Sequence, residues 1–198
     1  HKVIGKNIII ATGSKPKNIQ GIEVDGKNII NYRHILNIKK IPKTMLIVGA
    51  GAIGVEYAFF FNSLGVQVTL AELQKNILPN EDFDISRKLK SIFIDLGINV
   101  INEASIANVN TKKNLISTLI NNKNHTFDKL IVAVGVEGNY SELNLNNTDI
   151  VINDSFISVD ENLRTSVNNI YAIGDVVGAP WLAHLSSAQG IYVSNYIC

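Results

Sequence analysis

Cysteine is all but missing from this sequence. Cys198 is the single one, so no disulfide can close within the chain, and a reduced, cytoplasmic setting is expected. An excess of charge of either sign is missing too. The 18 basic and 17 acidic residues leave a net charge of +1, too weak a field to draw nucleic acid or an anionic membrane, and neither is expected as a partner. No uninterrupted apolar run reaches the roughly 18 residues a membrane helix needs, and His1 to Lys6 carry no signal-peptide pattern. A soluble protein is therefore expected.

What is plentiful is apolar side chain. Hydrophobic residues make up 46% of the 198 and charged residues 18%, enough for a core and far from a disordered composition. That length suits one large domain, or one domain with pieces of another.

The chain opens almost at once into the apolar run Asn7 to Ala11, which breaks at Thr12, Gly13, Ser14, Lys15 and Pro16. A β-branched run ending at glycine reads as a buried parallel strand, and a chain that starts on such a strand looks like an internal fragment. From Ile41 the pattern changes. Thr44 to Val48 reads as a strand, Gly51 to Leu64 as a helix and Val66 to Glu72 as a second strand, which together make a βαβ unit. A helix from about Asp82 to Leu96 carries Ile85, Leu89, Ile92, Phe93 and Leu96 at helical spacing and stops at Gly97. Short strands at Asn99 to Ile101, Ile106 to Val109 and Leu115 to Ile120, divided by Asn and Lys clusters, read as an antiparallel meander. Two more buried strands, Lys129 to Val134 and Ile170 to Ile173, end at Gly135 and Gly174. The expected fold is α/β: one intact three-layer, Rossmann-like domain with a meander at 41–138. The flanks 1–40 and 139–198 form parts of a second, related domain. Their strands Asn7 to Ala11 and Ile170 to Ile173 should then lie adjacent and parallel, because neither flank alone can bury a strand on both faces.

Gly49, Ala50, Gly51, Ala52, Ile53 and Gly54 form G-x-G-x-x-G between a strand and a helix. In such a motif the first glycine permits the turn, the second lets a pyrophosphate approach, the third lets helix pack on strand, and the helix N-terminus attracts the phosphates. Glu72 follows at the next strand end, where a carboxylate accepts bonds from ribose hydroxyls and repels a 2′-phosphate. The next arginine, Arg87, lies in the following helix, so NAD is favoured over NADP. Glu56, the one charge between Ala52 and Phe61, either faces solvent or points across a domain junction toward a lysine outside this chain.

The segments IIIATGSKP, VGAGAIGVEYAFFFNSLG, LIVAVG and LRTSVNNIYAIGDVVGAPWLAH together resemble the two-dinucleotide flavoprotein disulfide reductases. Within that family the likeness is strongest to the dihydrolipoamide dehydrogenase branch, from the acid at position 72, Ala52 and Ile53, and the segment Pro180 to His184. The resemblance implies that Thr12, Gly13, Gly174 and Asp175 lie by FAD, Asp175 accepting from a ribityl hydroxyl. It places Gly135 by NAD and turns the helix start at Leu182, Ala183 and His184 toward the flavin. Glu56 matches the family glutamate that pairs with a lysine beside the flavin. His184 is not the family's catalytic histidine.

The family's N-terminal FAD fingerprint, its redox cysteine pair and its His–Glu acid–base pair are not in this sequence, so no catalytic residue is assigned. Val136 and Glu137 stand where a basic residue is usual, and Gln189 where a glutamate is common. The resemblance implies a homodimeric parent that oxidises the lipoyl group of an acyltransferase in a 2-oxo acid dehydrogenase complex, with electrons passing through FAD to NAD. The present chain would be an inactive, NAD-binding part of it. A related NADH-dependent flavoprotein, such as a transhydrogenase or NADH oxidase, and a non-catalytic NAD-binding module remain the alternatives.

Overall fold

The computed structural model describes residues 3–198. Along the chain run β1 (Ile8–Ile10), β2 (Ser14–Pro16), β3 (Ile29–Ile30), α1 (Tyr32–Ile35), β4 (Thr44–Val48), α2 (Ala52–Ser63), β5 (Gln67–Ala71) and α3 (Phe83–Asp95). There follow β6 (Asn99–Ile101), β7 (Ile106–Lys112), β8 (Leu115–Ile120), β9 (Lys123–Phe127), β10 (Lys129–Val132), β11 (Val136–Gly138), β12 (Ile152–Asn153), β13 (Phe156–Ile157), β14 (Ile170–Ala172) and α4 (Ala183–Ile197). They divide into two compact units, one of Pro16–Gly135 and one of His1–Lys15 with Val136–Cys198.

The middle unit is built on a five-stranded parallel sheet in the order β3-β10-β4-β5-β6, with β7, β8 and β9 forming a separate antiparallel sheet. Alternation along β4 explains the layering. Met45 and Ile47 join a core with Val55, Ala58 and Phe61 of α2 and Phe93 of α3. Their neighbours Leu46 and Val48 join Ile116, Ile120 and Phe127 of the antiparallel sheet. Strands buried on both faces need apolar residues at every position, which is why β4 and β10 read as continuous runs. The result is helices, parallel sheet and meander in three layers.

Three expectations need correction. Asn99–Ile101 is not part of the meander: as β6 it pairs in parallel with β5, because α3 carries the chain back to start a new parallel strand. The meander's third strand is β9, whose residues Lys123, Asn124, His125 and Thr126 are too polar to read as a strand. Residues 16–40 belong to the middle unit and the second connection falls at Gly135, so the boundaries differ from 40/41 and 138/139. The cause is burial: Ile29 and Ile30 pair with β10, and Ile22, Ile29, Ile30 and Ile35 fill the middle unit's two cores.

In the flanking unit β1 and β14 pair in parallel, Ile8 opposite Ile170 and Ile10 opposite Ala172, as their composition requires. Ile10, Ile150, Ile157, Ala172 and Val176 form its core. β1 is not buried throughout, however. Ile8 is 48% exposed and Ile9 37%, on a parallel sheet of only two strands. No helix among the described residues is long and apolar enough to cross a membrane.

Candidate functional site

In the middle unit the parallel strands end at two glycines. Gly49 follows β4 with φ +98°, a backbone conformation that favours glycine, and a Cβ there would stand 2.5 Å from the carbonyl oxygen of Ala133. Gly54, inside α2, is tighter still, since its Cβ would fall 1.9 Å from the Gly49 carbonyl. These two glycines serve packing of turn, helix and strand. Gly51 is different: its backbone is ordinary (φ −71°) and its missing Cβ would meet no protein atom within 4 Å. Gly135, which lies just beyond β10 beside β4, also faces open space at φ +99°. The glycine turn thus sits at the carboxyl ends of β4 and β10. From β4 the chain runs to β5 and β6 on one side, while β10 and β3 lie on the other. Ligands of open α/β sheets settle at such switch points.

Helix α2 begins at Gly51 with no side-chain cap and no acid in its first turn. Its first amides are therefore free of side-chain acceptors, and the positive end of its dipole faces the same opening as Gly51. Ala52 is exposed and Ile53 half-buried against the core, while Ala50 is fully buried.

Glu72 is 7% exposed, and its carboxylate holds two backbone amides. Oε2 accepts from Ala50 N at 2.6 Å and Oε1 from Gln74 N at 2.8 Å. The carboxylate is therefore joined to the glycine turn itself, a contact that sequence spacing could not reveal. Two lone-pair positions remain on its oxygens for further donors. Glu56 lies one turn into α2 on its exposed side, with Phe59 and Phe60 also about half exposed, at 52% and 51%. Burial, and secondarily the charge of Glu56, pushes the hydroxyl pKa of Tyr57 upward.

In the flanking unit the structure joins the segments singled out at its two ends of sequence. Ser14 Oγ donates to Asp175 Oδ2 at 3.1 Å, and Asn139 donates through its backbone to Gly13 O at 2.9 Å and through its side chain to Thr12 O at 3.3 Å. Gly174 (φ +73°) donates its amide to Gln189 Oε1 at 2.7 Å, so α4 holds the turn that carries Asp175. Leu182 is the N-cap of α4 and makes no side-chain cap bond, and Leu182, Ala183 and His184 are exposed. Glu137, noted for replacing a basic residue, pairs with Lys15 at 3.4 Å. Ser14 and Asn139 went unnoticed in the sequence because their partners lie more than a hundred residues away.

Residues 1–190 match the pyridine nucleotide-disulphide oxidoreductase family, and the chain belongs to it. It is 38% identical over 195 residues to the dihydrolipoyl dehydrogenase of Bacillus subtilis, covering 96% of this chain and 41% of that protein. It is 43% identical over 189 residues to that of Chlorobaculum tepidum, covering 93% of this chain and 40% of that protein. Among solved structures it resembles the HOCl-induced flavoprotein disulfide reductase RclA from Escherichia coli, with a TM-score of 0.90 at 28% identity over 98% of this chain and 45% of that one. The chain therefore spans about two fifths of the length of the curated relatives it matches.

Proposed function

We propose that the middle unit binds NAD and that the chain is part of a dihydrolipoyl dehydrogenase. The observation that carries this reading is the pairing of an open Gly51, at an uncapped helix start, with the carboxylate of Glu72 at the next strand end. The free amides of α2 suit a pyrophosphate, and the remaining lone pairs of Glu72 suit the hydroxyls of an adenosine ribose. A 2′-phosphate would bring a second negative charge against a buried carboxylate, so NAD is preferred to NADP. Gly135, beyond the adjacent strand β10, likewise has no protein atom near a Cβ position and leaves its backbone open to the nucleotide.

The flanking unit contributes part of an FAD site: Thr12 and Gly13 on one turn, Asp175 on the other, and the start of α4 at Leu182 and Ala183. FAD, when bound, supplies the two-electron chemistry between a dithiol and the nicotinamide. This chain's residues position the cofactors, and Glu56 is available on the exposed side of α2 to pair with a lysine near the flavin. The whole protein is read as a cytoplasmic homodimer acting on a lipoyl-bearing acyltransferase, and this segment alone as a cofactor-binding piece without turnover.

Titration calorimetry of the chain with NAD and NADP tests the central claim. A preference for NAD of about tenfold or more is expected, the effect of one hydrogen bond to a charged group. Equal binding of NADP would remove the ribose assignment. Measurable dihydrolipoamide oxidation by the isolated chain would remove the statement on turnover.

A further inference from the structure

Glu72 makes more contacts than recognition of a ribose requires. Its carboxylate is buried and bonded at both oxygens to backbone amides, one of them inside the glycine turn. The backbone of the same residue joins two neighbours, its amide donating to Ile101 O at 2.8 Å and its carbonyl accepting from Ala104 N at 2.8 Å. Glu72 is thus held firmly in place by the end of β6. Ala50, its partner, has no exposed surface, and its carbonyl accepts from Leu78 N at 2.7 Å. The Ala50 amide cannot turn to water, and without the carboxylate it would be a buried donor with no acceptor.

We infer that Glu72 is a positioning residue: its carboxylate clamps the Gly49–Gly51 turn in its open form before any nucleotide arrives. The inference rests on the reading of this turn as a nucleotide site. It adds that the acid acts through the Ala50 and Gln74 amides as well as through the ribose. A charged acceptor suits the task, because hydrogen bonds to an ionised carboxylate are roughly twice as strong as neutral ones and the carboxylate also lies at the positive end of α2. Glutamine cannot replace it, since its NH2 group would oppose one of the two amide donors.

Amide hydrogen exchange on the nucleotide-free chain tests the clamp. In the wild-type chain Ala50 and Gln74 should be protected, and in Glu72→Gln at least one should exchange about tenfold faster or more while the Glu72 amide itself is unchanged. A second measurement uses NAD whose adenosine ribose lacks both hydroxyls, which cannot bond the carboxylate. Glu72→Gln should still bind it several-fold more weakly than wild type. Unprotected Ala50 and Gln74 in the wild-type chain would overturn the clamp whether or not the variant folds, and so would equal binding of the dideoxy analogue by both chains. If neither chain binds any NAD form while Ala50 and Gln74 are protected as described, the clamp stands and the nucleotide reading falls.

Discussion

Of the three glycines of the turn, Gly49 and Gly54 serve packing while Gly51 faces open space. Gly54→Ala drives a Cβ into the Gly49 carbonyl at 1.9 Å, so it should cost about 3 kcal/mol and lower the melting temperature by roughly 6–12 °C. Gly51→Ala meets no protein atom and has an ordinary φ, so its stability should stay within about 1 kcal/mol of wild type while NAD binding falls tenfold or more. Thermal melts beside calorimetry check both, and a Gly51→Ala chain with normal NAD affinity would argue against a pyrophosphate there. A third residue sets a pH dependence. Asp128 accepts from Thr44 N and Lys43 N, each at 2.9 Å, and from Thr44 Oγ1 at 3.2 Å. The Thr44 amide chiefly, against an opposing effect of burial, lowers its carboxyl pKa, with the Lys43 amide, the Thr44 hydroxyl and the Lys43 charge adding to this. A carboxylate whose folded pKa is depressed stabilises above its unfolded pKa and loses that contribution as pH falls through the folded value. Asp128→Asn should therefore cost about 1 kcal/mol near pH 7, and urea unfolding should show the gap to wild type closing below about pH 4. The positions of Gly49, Gly51, Gly54 and Glu72 were legible because they follow from one strand–turn–helix–strand unit. Ser14, Asn139 and the Glu72–Ala50 bond were not, because tertiary folding alone brings their partners near.

At the scale of elements, the strands that read correctly were the apolar ones, and α2 and α3 fall within a residue of their expected limits. Apolar runs and helical periodicity are local properties, so β4, β5, β10 and β14 could be placed from the sequence. Pairing partners are not local. β6 has the look of a meander strand and is set apart only by the helix before it, while β9 is held by pairing with β8 despite four polar residues. The turn between β8 and β9 explains how. Asn121 and Asn122 both adopt positive φ (49° and 63°), as a two-residue hairpin turn requires, and asparagine tolerates that conformation better than most residues. Asn122→Val should destabilise the chain by about 1–2 kcal/mol, whereas Asn122→Gly should leave it unchanged or slightly more stable. Chemical denaturation of the two variants checks this; equal stability of both would show that the turn does not hold β9.

At the scale of the molecule, one unit is continuous and the other is assembled from both ends of the chain. Residues 16–135 expressed alone should unfold in one cooperative step, followed by circular dichroism, and should match the whole chain in NAD titrations. A shorter piece starting at residue 41 should fail, since it lacks β3 and the buried Ile22, Ile29, Ile30 and Ile35. Within the middle unit the Lys17 amide donates to the Gly135 carbonyl at 3.0 Å, so folding of this unit brings its own two ends together. That contact has a kinetic meaning. Joining β1 to β14 across an unfolded stretch of this length would cost roughly 4 kcal/mol in loop closure, and a middle unit that has already folded removes most of it. The expected order of folding then follows from the chain: the inserted unit should form first, and the flanks should dock on each other afterwards. The single tryptophan, Trp181, belongs to the flanking unit, where its ring lies 5.9 Å from that of Phe156, so its fluorescence follows folding of the C-terminal flank. After dilution from urea its fluorescence should recover no sooner than the middle unit's NAD binding, and slowing the middle unit should delay both.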